Sequence, residues 1–115
     1  MRHKESDLQI ACVRWFHYQH GDKVLFAIPN GGNRDVITGA IMKREGVLAG
    51  VADLFLCVAS NSYNGMFIEM KTNDGRQSKS QKDFQRKVEA EGYRYVVCRS
   101  FEDFYNEIEN YLSND

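Results

Sequence analysis

Apolar residues recur along the chain in runs that change period, and the changes mark out its elements. From about Lys4 to Gln19, Leu8, Cys12, Trp15 and Phe16 fall at the three-and-four spacing of a helix with one buried face, and Gly21-Asp22 stops the run. Residues 23-KVLFAI-28 read as a strand, ended by the turn-rich 29-PNGGNR-34. Val36 to Glu45 can form a short helix closed by Gly46. The run 51-VADLFLCVA-59 is apolar almost continuously after Asp53, the pattern of a strand covered on both faces. A turn at 60-SNSYNG-65 leads into a returning strand, 66-MFIEMK-71, and a polar loop, 72-TNDGRQS-78. A helix follows, starting at Ser78 or Ser80 and running to Glu91. Ser78 with Gln81 has capping-box spacing, and Ser80 with Asp83 has its acidic variant, so either start is open. Gly92 ends that helix, 93-YRYVVC-98 is a further strand, and 100-SFED-103 caps a last helix carrying Phe104, Ile108 and Leu112. The order is α-β-α-β-β-α-β-α. A hairpin inside an otherwise alternating pattern predicts an α/β domain with a mixed sheet flanked by helices.

The length of 115 residues suits one compact domain, and 43% hydrophobic content is enough for a core, which excludes disorder. No apolar run approaches the roughly 20 residues of a membrane span. The start, 1-MRHKESDLQ-9, lacks the apolar stretch of a signal peptide. The three cysteines, Cys12, Cys57 and Cys98, are odd in number, far apart and set in apolar segments. They predict reduced, buried thiols in a cytoplasmic protein and argue against a disulfide framework or a thiolate zinc site. Net charge is -1, but it is segregated. Lys71 to Lys87 holds six basic residues against two acidic ones, whereas the tail after Phe101 carries only acids. One face can therefore meet an anion while another stays acidic.

Within the returning strand, Glu69 and Lys71 interrupt an apolar run, and a charge in a buried strand requires a partner or an ion. If the hairpin is symmetric and unbulged, Asp53 and Glu69, equidistant from Asn61, sit opposite one another with Cβ atoms about 5 Å apart. Lys71 shares that face because strand side chains alternate. Two opposed carboxylates repel and invite a hard divalent cation such as Mg²⁺, which takes oxygen ligands and keeps several waters. With Lys71 beside a metal-bound water, these are the parts of metal-assisted phosphodiester hydrolysis. Glu5, one turn before Leu8, continues the inward stripe of the first helix, although an acid in a first turn also complements the helix dipole. Gln81 lies on the inward stripe of its helix with Phe84 and Val88, although a glutamine there also serves as a cap.

Other candidates are less specific. Asn30, Gly31 and Gly32, with Arg34 beside them, can cradle a phosphate through backbone N–H groups, or the glycines can serve backbone geometry alone. Arg76, Lys79, Lys82 and Arg86 form a basic stretch suited to a nucleic-acid backbone. His17 and His20 have ligand spacing but no third partner, which favours surface or satisfied histidines. Trp15 lies on the apolar stripe, so core packing is expected rather than base stacking. No phosphate-binding G-x-x-x-x-G-K-[ST] motif occurs, so ATP-driven chemistry is unsupported.

Asp53 at the head of a strand, 68-IEMK-71 on the next and 81-QKDF-84 opening a helix resemble the PD-(D/E)XK nuclease superfamily. More narrowly, with Glu5, 29-PNGGNR-34, 50-GVADLFL-56 and 92-GYRYVV-97, the chain resembles the VRR-NUC domain, the virus-type replication-repair nuclease. The resemblance spans nearly all of residues 1–115 and implies a standalone domain with a restriction-endonuclease-like fold. It implies a Mg²⁺- or Mn²⁺-dependent DNA endonuclease acting on branched or structured DNA. Asp53, Glu69, the Met70 carbonyl and Glu5 would then serve the metal, Lys71 would position or activate the attacking water, and Gln81 would orient the lysine or a metal-bound water. Ala52 departs from the proline usual before the aspartate, which bears on the turn rather than on the chemistry. A homodimer is expected, since one small domain offers one site while a structured substrate has two strands to cut. The competing expectation is a non-catalytic DNA-binding or regulatory protein on the same fold. The localisation expected is cytoplasmic, in the host cytoplasm if the protein is viral.

Overall fold

The computed structural model describes residues 2–29 and 36–113. The predicted element order holds: α1 (Arg2–Gln19), β1 (Leu25–Ala27), α2 (Val36–Arg44), β2 (Leu54–Leu56), β3 (Met66–Met70), α3 (Lys79–Ala90), β4 (Arg94–Cys98) and α4 (Phe101–Leu112). The four strands form one sheet in the order β1-β2-β3-β4. β1 and β2, then β2 and β3, pair antiparallel, while β3 and β4 pair parallel. The parallel pair follows from chemistry already in the chain, because α3 supplies the crossover that returns β4 in the same direction.

β3 sorts its side chains onto two faces. Met66, Ile68 and Met70 are fully buried and join Cys12 and Phe16 of α1 with Phe104 and Ile108 of α4 in one core. On the other face Phe67 meets Phe84 of α3, with ring centroids 5.0 Å apart, and Phe55 of β2 at 4.5 Å. The helix pair α1 and α4 therefore seals one side of the sheet, and α3 covers the other. Glu69 alternates with Phe67, so it is delivered to the α3 side. Among the described residues no helix is long and apolar enough to cross a membrane.

The β2–β3 register is the one that symmetry about Asn61 predicts: Leu54 faces Ile68, Phe55 faces Phe67 and Leu56 faces Met66. The next position outward sets Asp53 against Glu69. The hairpin tip departs from that symmetry. Ser60 bridges Tyr63, so residues 57–59 of the outgoing arm oppose only 64–65 of the return, an extra residue of the bulge type. Other expectations need correction. The strand predicted over 51–59 pairs with β3 only at Leu54–Leu56, although Asp53 and Cys57 keep backbone bonds to Ile28 and Val24 on the β1 side, and it is fully buried on one face, with Phe55 half-buried. Cys57, expected to be buried, is exposed, whereas Cys12 and Cys98 are buried. Hydrophobic runs report which residues prefer a sheet, not where the bulge ends the ladder.

Ser78, not Ser80, caps α3. Its hydroxyl accepts from the Gln81 backbone N–H at 3.2 Å, and the Gln81 side-chain oxygen accepts from the Ser78 N–H at 2.9 Å, completing a capping box. This first turn docks on the segment leading into β2. Gly50 has φ +89°, and a Cβ built there would lie 2.5 Å from the Ser80 carbonyl oxygen. Both the left-handed backbone and the backbone-to-backbone approach require glycine. Gly50→Ala is therefore expected to lower stability by more than about 2 kcal/mol, the left-handed penalty for alanine plus the clash. Urea unfolding would read it as a lower midpoint at unchanged slope, and an unaltered midpoint would show that the two segments are not docked.

Candidate active site

β3 runs two residues beyond the last β2 pair, and the site is built on that overhang. The N–H of Met70 donates to Oδ2 of Asp53 at 2.7 Å, so an aspartate side chain takes over where the backbone no longer pairs with β3. Glu69 is 2% exposed and is the buried charged residue among those described. Its Oε2 accepts from Nε2 of Gln81 at 3.1 Å and lies 3.6 Å from Nζ of Lys71. Its Oε1 is buried and has no hydrogen-bond partner. Lys71 is itself largely covered, and its N–H donates to the Cys98 carbonyl at 3.0 Å, extending the β3–β4 pairing. Glu5, in the first turn of α1, closes the group from the other side. Asp53, Glu69, Lys71, Gln81 and Glu5 all line one cavity of about 330 Å³, together with Gln9, Ala27, Ile28 and Pro29.

The two readings open for Gln81 prove compatible, since its oxygen completes the cap while its nitrogen holds Glu69. Gln9 was not anticipated. It stands one turn beyond Glu5, and the i, i+4 relation to that residue is the signal that could have found it.

The electrostatics single out Glu69. Its carboxyl is pushed up to about 8, first by burial and then by the negative charge of Asp53, while Lys71 acts in the opposite sense; a carboxyl-to-carboxyl hydrogen bond with Asp53 and the charge of Glu5 add to the upward push. An oxygen-rich pocket with a buried, unpartnered carboxylate oxygen beside a second acid fits a hard divalent cation, which would relieve the repulsion and use the idle acceptor. Among the described residues no three His, Cys, Asp or Glu side chains group closely enough to hold an ion by themselves. Glu5 therefore lines the pocket without completing a three-acid cage with Asp53 and Glu69, and water would fill the remaining positions.

The other predicted residues divide. Asn30, Gly31, Gly32 and Arg34 lie outside the described residues. Arg76, Lys79, Lys82 and Arg86 are all exposed, and the last three line a shallow hollow on α3. Asp83 binds Arg86 and also Lys87, the latter at 3.1 Å, and these cations hold its carboxyl below its ordinary value. That leaves Lys79 and Lys82 as the less committed charges of this face. His17 is exposed and His20 bonds Glu109 at 2.8 Å, so neither acts as a ligand pair. Trp15 packs edge-on against Phe101 and Phe104, as its stripe predicted. A larger cavity of about 780 Å³ between α2 and α3 is mostly apolar, and its one acid is the committed Asp83.

Residues 3–102 match the family model of the VRR-NUC domain. The chain belongs to the VRR-NUC family. A solved structure described as a VRR_NUC domain protein is similar to this VRR-NUC chain with a TM-score of 0.84 and 26% sequence identity, over 96% of this chain and 88% of that one. No curated protein matches. The family and the mixed sheet flanked by helices agree with the resemblance read from the motifs, and the fold is of the nuclease type. Ala52 is fully buried, and Asp53 reaches the pocket without the usual preceding proline.

The raised Glu69 pKa has a consequence for stability. Between about 4.5 and about 8 the folded VRR-NUC chain holds a proton that the unfolded chain has lost, so stability falls as pH rises through that window. Chemical unfolding in excess chelator should show this decline, and Glu69→Gln should flatten it. A Glu69→Gln profile parallel to the wild type would show that another group carries the dependence.

Proposed function

We propose that the chain is a divalent-metal-dependent endonuclease that hydrolyses phosphodiester bonds in branched or structured DNA. The observation that carries this is Glu69, a buried carboxylate facing Asp53 with one oxygen unpartnered, in a cavity shared with Lys71 and Gln81. Asp53 and Glu69, with the Met70 carbonyl beside them, would hold Mg²⁺ or Mn²⁺, and Glu5 would support its water shell. The bound cation supplies Lewis acidity and a lowered water pKa. The chain's own groups do the rest. Gln81 holds the Glu69 carboxylate in one orientation. Lys71 brings a proton-donating ammonium to the pocket, 3.6 Å from Glu69, where it can bond an attacking water or a phosphate oxygen. Lys79 and Lys82 offer charge to the DNA backbone.

A non-catalytic DNA binder would gain nothing from burying acids against each other where a polyanion must approach, and this favours the enzyme. Two copies related by a two-fold axis would bring one site to each strand of a junction, so a homodimer is part of the proposal. A reducing cytoplasm suits it, because Cys12 and Cys98 are free thiols that burial pushes up to about 11 and about 12, making them unreactive.

Labelled junction, flap, duplex and single-stranded DNA should be incubated with Mg²⁺, Mn²⁺, Ca²⁺ or chelator. Cleavage is expected with the first two, preferentially in branched substrates, and binding without efficient turnover with Ca²⁺. Full activity in excess chelator would refute metal dependence, and a monomer in sedimentation with and without DNA would refute the dimer. Gln81→Ala should lose about 10–100-fold in rate, the usual loss when a ligand's hydrogen-bonded support is removed, and Asp53→Ala or Glu69→Ala should lose more. Asp53→Ala and Glu69→Ala should remain folded. The first should bind metal-free DNA as tightly as the wild type or more so, since a repulsive charge is gone, and the second should bind as the wild type does below about pH 8, where Glu69 already holds a proton. Wild-type cutting by either would show that the active site is elsewhere.

A further inference from the structure

We propose that Arg99, together with Gly75, is a positioning device that aims the Lys71 ammonium into the pocket; the proposal rests on the nuclease reading of that pocket. Arg99 follows β4 directly and reaches across to the turn that leaves β3. Its Nη1 donates to the carbonyls of Thr72 at 2.9 Å and Gly75 at 2.6 Å, with that of Asn73 at 3.5 Å. Its own backbone N–H is anchored to the Asp103 carboxylate of α4 at 2.9 Å. The turn is closed by the Gly75 N–H donating to Thr72 at 3.0 Å. Against this turn lies the stem of Lys71. A Cβ on Gly75 would stand 3.1 Å from Cδ of Lys71 and 3.4 Å from its Cβ. The lysine backbone is fixed by the Cys98 carbonyl, the residue before Arg99. Lys71 is thus set from two sides, its backbone by the end of β4 and its stem by a turn that Arg99 holds.

The effect is geometric. The hydrogen bonds of Arg99 go to the carbonyls of the turn and to Asp103, and none goes to Glu69. One nitrogen, Nη1, makes these contacts with its two hydrogens, chiefly to Gly75 and Thr72, and the ammonium of a lysine, on a shorter stem, would not reach the same position. Gly75 has no positive φ, so alanine there keeps the backbone and disturbs only the lysine stem.

The test compares Arg99→Ala, Arg99→Lys and Gly75→Ala with the wild type. In the metal-free proteins, acylation of the Lys71 amine by an amine-reactive reagent, read by mass spectrometry, should change in all three. With Mg²⁺ and junction DNA, kcat should fall between about tenfold and a hundredfold, as sub-ångström to ångström misplacement of a reacting group does, with KM and the Kd for DNA in Ca²⁺ unchanged. Full rescue by Arg99→Lys would show that the position of Nη1 does not set the turn and would overturn the proposal. A parallel loss of DNA affinity would make Arg99 a DNA contact and overturn it equally, as would unchanged Lys71 acylation. If Arg99→Ala does not fold, Gly75→Ala carries the test. A wild type that fails to cut would refute the nuclease reading, while the acylation comparison would still decide the positioning.

Discussion

Burying Glu69 is the constraint to which the surrounding structure answers. A carboxylate at 2% exposure, faced by a second acid, is among the least favourable things a small domain can contain, and several neighbours are arranged to hold it. Gln81 and Lys71 attend one of its oxygens, Asp53 is occupied with the Met70 N–H, and the other Glu69 oxygen is left without a partner. Incomplete satisfaction is the informative part. Buried polar groups are ordinarily hydrogen-bonded, so an idle oxygen calls for an explanation, and a bound cation is the one proposed above.

The elements converge on that acid by their ends rather than their middles. The first turn of α1 brings Glu5, the entry to β2 brings Asp53, the exit of β3 brings Glu69 and Lys71, and the first turn of α3 brings Gln81. Ends are where the backbone stops pairing with itself and side chains take over its hydrogen bonds. Gln81 shows the economy of this arrangement, since one amide both closes a helix terminus and holds a buried carboxylate. Gly50 makes the convergence sterically possible by letting the approach to β2 lie directly on the α3 backbone.

Much of this was legible in the order of residue types. Period changes separated the eight elements, and symmetry about Asn61 found the register that pairs Asp53 with Glu69. Because side chains in a strand alternate, a slip of one residue would have sent Phe55 and Phe67 to the wrong face, so the aromatic and aliphatic positions themselves select that register. Alternation likewise put Lys71 with Glu69. The same patterns overstated β2, whose apolar run continues through Cys57 and Val58 after the regular pairing with β3 has ended. They could not show the extra residue near the hairpin tip, because a bulge is decided by how two strands meet rather than by the composition of either.

The sequence by itself determined the element order, the mixed sheet, the faces of the strands, and the grouping of Asp53, Glu69 and Lys71, while it left Glu5 and Gln81 open between pocket and helix cap. These depend on local periodicity and on the high cost of placing a charge within an apolar run, and both are written in neighbouring residues. Only the tertiary structure decided that Ser78 starts α3, that Gln81 serves cap and carboxylate together, that Gln9 joins the pocket, and that Arg99 grips the turn behind Lys71. Apart from the Ser78 cap, each of those contacts links residues from separate elements. Their geometry is set by how helices and sheet pack, and no stretch of chain encodes that packing alone.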